Sequence, residues 1–319
     1  TDARRRSLIV VRDGSVRIGL VVDRLLGEHQ TVIKPLAGIF RHLKALAGST
    51  ILGSGDVALV LDMQGLVAAA TLASCSSMPQ GGEHWRSLFD GKTLAGWTPK
   101  IRGFPLGENY RDTFRVKDGA IVVSYDKYDK FGERFGHLFY QTPFKAYRLR
   151  LEYRFSTEHP ADTPAWAIAN SGVMIYGQDP KTMAIDDSFP VSVEAQILGP
   201  APGQERFNGN MCSPGTNVVM GGKFETTHCI NSKYVADPNG QWIQFEVEVS
   251  REGVVTQKVN GKTTIVYSDV QLDPEGKMAN SKPLIAAAGG KLKLDGGTIS
   301  LQSEGNPIEF RKIDILELN

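Results

Sequence analysis

The chain has 319 residues, enough for two domains, and 41 % of them are hydrophobic, which supplies real cores. Thirty-six basic residues against 35 acidic ones leave a net charge of +1, so nothing in the totals favours a nucleic-acid partner or an anionic membrane surface. The basic cluster Arg4-Arg5-Arg6 reads as a solvated terminus, and the uncharged apolar run at 63–75 falls short of the roughly 20 residues that a membrane-spanning helix needs.

Apolar runs at 7–11, 16–22, 32–34 and 57–61 are rich in Val, Ile and Leu. Turn signals separate them: Asp13-Gly14, Leu26-Gly27, Ala47-Gly48 and Gly53-Ser54-Gly55. The pattern predicts a small β meander over 1–70. The strings RIGLVVDRLLGEHQTVIKPL (17–36) and AGSTILGSGDVALVLDMQGLV (47–67) resemble the C-terminal half of the CheW-like regulatory domain of chemotaxis kinases. That resemblance implies an incomplete SH3-like β fragment, because the strands completing such a barrel are expected ahead of residue 7. It also implies an adaptor that docks on a chemoreceptor or coupling protein in the cytoplasm and does no chemistry. His29 and His42 read as surface residues.

Residues 71–84 read as a linker. Within it Leu72-Ala73-Ser74-Cys75, behind the Ala-rich run 66–71, looks like the lipobox of a bacterial lipoprotein signal, with Cys75 as the lipidation candidate. On that reading the rest of the protein is periplasmic, as an anchored lipoprotein or in secreted form.

From 85 to 319 period-two alternation dominates. Residues 147–155 set Tyr147, Leu149, Leu151, Tyr153 and Phe155 on one face, and 242–249 do the same with Ile243, Phe245, Val247 and Val249. Strands at 254–259 and 263–267 flank Asn260-Gly261, which suits a type I′ hairpin turn. Further strands are expected at 114–116, 120–124, 172–176, 191–198, 298–302 and 308–318. In the last, the alternation changes parity at Arg311-Lys312, as a bulge would cause. No long helical period appears, so the expected class is all-β, a two-sheet antiparallel sandwich.

A sandwich leaves its outer faces free to hold a sugar. Glu194 and Gln196 lie opposite Val193, Ala195 and Ile197; Gln302 lies opposite Leu301; Glu152 and Arg154 lie opposite Leu151 and Tyr153. The segment 199–240 shows little periodicity and reads as a long loop walling the site. It carries His228, the best-placed candidate for a general base or metal ligand, and Cys212 and Cys229, which form either a disulfide or two buried thiols. His137, among aromatics, reads as a core or rim residue. No GxSxG, HExxH, phosphate loop or paired-cysteine zinc motif is present.

The strings WRSLFDGKTLAGW (85–97), NSGVMIYG (170–177), VSVEAQILG (191–199), CSPGTNV (212–218), THCINS (227–232) and ISLQSEGNPIEFRKIDILEL (299–318), with the stretch 114–155, resemble the 3-keto-disaccharide hydrolase family. The resemblance runs from Trp85 to the C-terminus. It implies a concanavalin- or laminin-G-like jelly roll, a lipoprotein or secreted location, and a glycoside substrate oxidised at C3 by a partner sugar oxidoreductase. A C3 ketone acidifies the C2 proton, so cleavage by proton abstraction, β-elimination and hydration is expected. His228 or Glu194 is then the base, with Gln196, Gln302 and Arg311 as donors to sugar or enolate oxygens. Asn170 and Ser171 would shape the pocket, Tyr125, Asp126 and Lys127 its rim, and Glu152 and Arg154 would contact sugar. His228 and Glu194 are also the candidate ligands for a divalent ion. Two other readings compete. One is a non-catalytic carbohydrate-binding sandwich stacking sugars on Trp97, Trp166 or Trp242; the other is a chemotaxis adaptor acting through 1–70.

Overall fold

The computed structural model describes residues 7–13, 16–22, 32, 34, 46–52, 55–62 and 84–318. Arg4-Arg5-Arg6, His29, His42 and Cys75 lie outside the described residues. The chain divides into two units, Thr1–Glu83 and His84–Asn319. In the first, Ser7–Asp13 pairs antiparallel with Val16–Val22, and Leu46–Ile51 pairs antiparallel with Val57–Leu61. These are two separate two-stranded sheets.

The second unit is a sandwich of two antiparallel sheets. The seven-stranded sheet runs, edge to edge, Cys229–Ile230, Asn210–Cys212, Val193–Leu198, Asn170–Gly177, Thr298–Ser303, Gly136–Tyr140 and Trp97–Ile101. The ten-stranded sheet runs Lys223–Glu225, Thr216–Met220, Lys262–Leu272, Val255–Val259, Ile243–Val249, Tyr147–Phe155, Ile308–Glu317, Ala120–Val123 and Phe114–Lys117, with Arg86–Ser87 also on Ile308–Glu317. Neighbours far apart in sequence, such as Tyr147–Phe155 beside Ile308–Glu317, give the jelly-roll order.

Alternation decides which side chains fill the space between the sheets. Leu149, Leu151 and Tyr153 face Val173, Ala195, Ile197 and Leu301 in one apolar core, each at most 2 % exposed. The parity change at Arg311-Lys312 is a bulge: Arg150 pairs with Asp314 but Glu152 with Arg311, and Lys312 takes φ 51°. The extra residue restores Ile313 and Ile315 to the core.

The segment 199–240 differs from its expected form. Four short strands, Asn210–Cys212, Thr216–Met220, Lys223–Glu225 and Cys229–Ile230, extend both sheets through it. Strands of two to five residues are too short to carry a periodic signal; long-range pairing creates them. The sequence also gave no notice of Trp97–Ile101, because Pro99 argues against a strand. That strand is an edge of its sheet, where a missing N–H is tolerated.

Candidate active site

The residues opposite the core on the seven-stranded sheet form a polar line. Asn210 pairs with Gln196, and Gln196 with Gly172. One position beyond the Val173–Leu301 pair, Gln302 continues the line to His137, which pairs with Lys100. A parallel line holds Cys212 and Glu194, paired with each other, and Glu194 pairs with Met174. Two strand periods thus place carboxyl, amide and imidazole groups on one face.

A cavity of about 540 Å³ opens on this face. Glu194, Gln196, Asn170, His228 and Glu304 line it, and Phe135, Trp166 and Phe189 form an aromatic wall. Trp166 is 52 % exposed and stacks on Phe135 at 5.8 Å between ring centroids. Two side chains tie down the polar floor. Asn210 Nδ2 donates to Gln196 Oε1 at 2.9 Å, and Gln196 Nε2 donates to Asn170 Oδ1 at 3.4 Å. Arg206, on the rim, is fixed by donating Nη1 to the Ile168 carbonyl and Nη2 to the Ala165 carbonyl.

The carboxyls are in an unusual state. Burial pushes Glu194 up to about 8. Burial, and then the charge of Glu194, pushes Glu304 well above the ordinary range. Glu194 Oε1 and Glu304 Oε2 have no hydrogen-bond partner. Both groups are therefore held as neutral acids near pH 7, with oxygens left over for a ligand. His228 is pushed down, first by burial, and its Nδ1 is buried without a partner. It is a neutral imidazole near pH 7. The Ser213 N–H donates to the His228 carbonyl at 2.8 Å, which fixes the backbone behind the ring.

Cys212 and Cys229, paired across adjacent strands, form a disulfide. Among the described residues, the metal-ligand atoms brought together in threes are those of Cys212, His228 and Cys229, all within 4.8 Å of one another. Glu194 stands outside this group. The bonded sulfurs are not thiolates, so the oxidised chain offers no thiolate ligands there.

Several expected site residues lie elsewhere. Ser171 shares the core side of its strand with Val173 and donates Oγ to the Gln302 carbonyl at 2.9 Å, so it does not shape the pocket. Gln302 lies on the expected face but is fully buried and does not line the cavity, so it is not placed to donate to a sugar there; both its amide atoms are unpartnered. Tyr125 is buried and accepts from the Gly305 N–H, Asp126 pairs with Arg115, and Lys127 pairs with Asp112. Tyr125 and Asp126 line a different hollow with His159 and Asp162. Glu152, Arg154 and Arg311 are on the outer face of the ten-stranded sheet. There Arg311 and Lys312 pair with Glu152, Arg154 pairs with Glu309, and Arg311 sits 3.8 Å over the Trp242 ring. Alternation showed that these side chains face outward; it could not show on which sheet. Arg311→Ala should therefore leave turnover unchanged and lower unfolding stability by about 1 kcal/mol, the value of an exposed cation–π contact. Parallel denaturation and activity measurements check this.

Of the three tryptophans proposed for stacking, only Trp166 reaches the cavity; Trp97 is buried and donates Nε1 to the Leu88 carbonyl at 2.7 Å. Glu304 was missed, since a lone Glu before a Gly-Asn-Pro turn reads as solvated. His137 is buried behind Phe189, with ring centroids 6.1 Å apart, and burial with the Lys100 charge pushes it down to about 3.

Comparison with known proteins covers the two units separately. Over 66 residues the chain is 36 % identical to chemotaxis protein CheA of Klebsiella aerogenes, covering 21 % of this chain and 10 % of that protein. CheA of Rhizobium meliloti is 42 % identical over 64 residues, covering 20 % and 8 %. The chain thus spans about a tenth of the length of these curated relatives. A solved structure of a candidate glycosyl hydrolase from Parabacteroides distasonis covers 76 % of this chain and 99 % of its own, at 18 % identity and TM-score 0.43. A β-glucanase of Bacillus licheniformis covers 76 % and 100 %, at 8 % identity and TM-score 0.42. Residues 1–71 match the CheW-like domain family. Residues 84–316, most of the chain, match the 3-keto-alpha-glucoside-1,2-lyase-like domain, and the chain belongs to that family.

Proposed function

We propose that the sandwich cleaves glycosides carrying a ketone at C3, by elimination across C1 and C2 followed by hydration. The observation that carries this reading is the convergence of Glu194, Glu304 and His228 on one cavity, each with a buried side-chain atom that has no partner; burial there raises both carboxyls and lowers the imidazole, which favours the neutral form of all three. A retaining or inverting glycosidase needs one carboxylate ionised, to attack C1 or to activate water. A C3 ketone removes that need, because the C2 proton then becomes acidic enough for an imidazole to take.

In the proposed sequence the His228 imidazole removes the C2 proton, and the electron pair passes to the C3 oxygen as an enolate. The enolate re-forms the ketone while C1=C2 forms and the C1–O bond breaks. The departing oxygen takes the proton of Glu194. Water then adds, its hydroxyl to C1 and a proton to C2, which releases the 3-keto sugar. Gln196 and Asn170 are positioned to hold sugar hydroxyls, and Trp166 offers an apolar face to a ring. The substrate must come from a sugar oxidoreductase. The Cys212–Cys229 disulfide fits an oxidising compartment such as the periplasm. Adaptor binding to a chemoreceptor belongs, in this proposal, to residues 1–71, and co-sedimentation with receptor arrays tests it.

The test uses both anomers of a 3-keto-glucoside deuterated at C2, with the parent glucoside as control. Elimination predicts cleavage of the keto form alone, with a primary isotope effect and loss of deuterium to solvent. Equal cleavage of the parent, or deuterium fully retained, overturns the mechanism. Saturable binding without turnover would make the domain a carbohydrate-binding module.

A further inference from the structure

The disulfide lies beside the proposed base, on a sheet edge. Cys229 is exposed and belongs to the outermost strand, Cys229–Ile230, whose register spans only Met211 with Ile230 and Cys212 with Cys229. Of the two cysteines Cys229 is the solvent-facing one, so an attacking thiolate approaches the disulfide from its side. Cys212 is 1 % exposed and lines the cavity. One His228 ring nitrogen lies within 4.8 Å of both sulfurs, and Nδ1 is buried without a partner.

We propose that reduction by a dithiol converts this corner into a Cys₂His zinc site whose fourth position opens on the cavity. The dithiol is oxidised to its own disulfide while Cys212 and Cys229 become thiols, and zinc displaces one proton from each. In a tetrahedral zinc site, ligands at about 2.0–2.3 Å from the metal stand about 3.3–3.8 Å from one another. The existing spread of 4.8 Å or less brings the three groups near that arrangement once the sulfurs part. The edge strand can supply the small outward shift, having no further neighbour in its sheet. Two thiolates and an imidazole with one open position suit zinc better than a hard oxygen-seeking cation.

Zinc bound here would occupy His228. That consequence rests on the proposed base; the metal site does not. The experiment uses the full chain carrying Cys75→Ser, reduced with dithiothreitol, desalted without oxygen and titrated with cobalt(II). One equivalent should bind, with sulfur-to-cobalt charge-transfer absorption and strong tetrahedral visible bands, and zinc should displace it. The oxidised chain should show neither feature, and His228→Ala should weaken binding about tenfold or more. Absence of these bands, or bands unaltered by His228→Ala, overturns the site. So does loss of near-ultraviolet circular dichroism on reduction, because the site requires the folded sheet edge. On a 3-keto-glucoside, one equivalent of zinc should abolish turnover by the reduced protein, and a chelator should restore it. Cobalt binding with turnover untouched by zinc would keep the site and remove His228 as the base.

Discussion

His228→Ala is expected to lower kcat on a 3-keto-glucoside by about 10²–10⁴-fold, the usual worth of a positioned general base, with KM changed only a few-fold. Glu194→Gln should fall in the same range, because glutamine keeps the shape of the side chain and loses the proton that the leaving oxygen needs. The pH dependence separates the two. His228 is active when neutral, and its pKa lies below the ordinary histidine value, so kcat/KM should fall as pH drops through that lowered value. Glu194 is active when protonated, so the rate should fall again as pH rises through about 8. The alkaline limb belongs to the pair, since a charge on Glu194 makes Glu304 still harder to ionise. The residual activity of Glu194→Gln should shift or lose that limb, and that of His228→Ala should lose the acid limb. A profile with the acid and alkaline assignments exchanged would make Glu194 the base and His228 the acid.

The sequence revealed what local periodicity controls. Tyr147–Phe155 shows its core side without any structure, and so does the bulge at Arg311-Lys312, because one inserted residue changes the parity of every side chain beyond it. Glu194, Gln196 and Gln302 fall on the side of their strands opposite Val193, Ala195 and Leu301 for the same reason. Which sheet each strand joins depends on pairings over long separations. Arg311 and Glu194 look alike as outward polar residues, yet they lie on different sheets. Pairing also moved Tyr125, Asp126 and Lys127 away from the cavity, because Ala120–Val123 joins the ten-stranded sheet. His228 could be read as a site residue only from its chemistry and neighbouring cysteines. Its position follows from Cys229–Ile230, a strand too short to announce itself. Glu304 carried no pattern, since its role comes from burial beside a second carboxyl.

Gly172 lies within the string NSGVMIYG (170–177) but was assigned no role from it, and it gives the second large effect. A Cβ built at this position would stand 2.5 Å from Glu194 Cγ, 2.5 Å from Oε1 and 2.9 Å from Cδ. The Glu194 side chain therefore lies over the space that a side chain at 172 would fill, and the glycine sets where the carboxyl meets the cavity. Gly172 does not adopt a left-handed backbone, so Gly172→Ala adds no strain of that kind, and the three atoms nearest the added methyl all belong to Glu194. Relieving such an overlap requires the carboxyl to move by about 1 Å, a displacement that typically costs about 10²-fold when the moved group must meet a reacting atom. Gly172→Ala should lower kcat by about that factor. Overpacking at a buried carboxyl should also cost about 1–3 kcal/mol of stability. The second change distinguishes displacement from general damage. In Glu194→Ala the space above residue 172 is empty, so adding Gly172→Ala to it should cost little further stability and no further activity. If the two stability losses instead add in full, Gly172 is required for some other reason, and the account of how this sheet positions its acid fails.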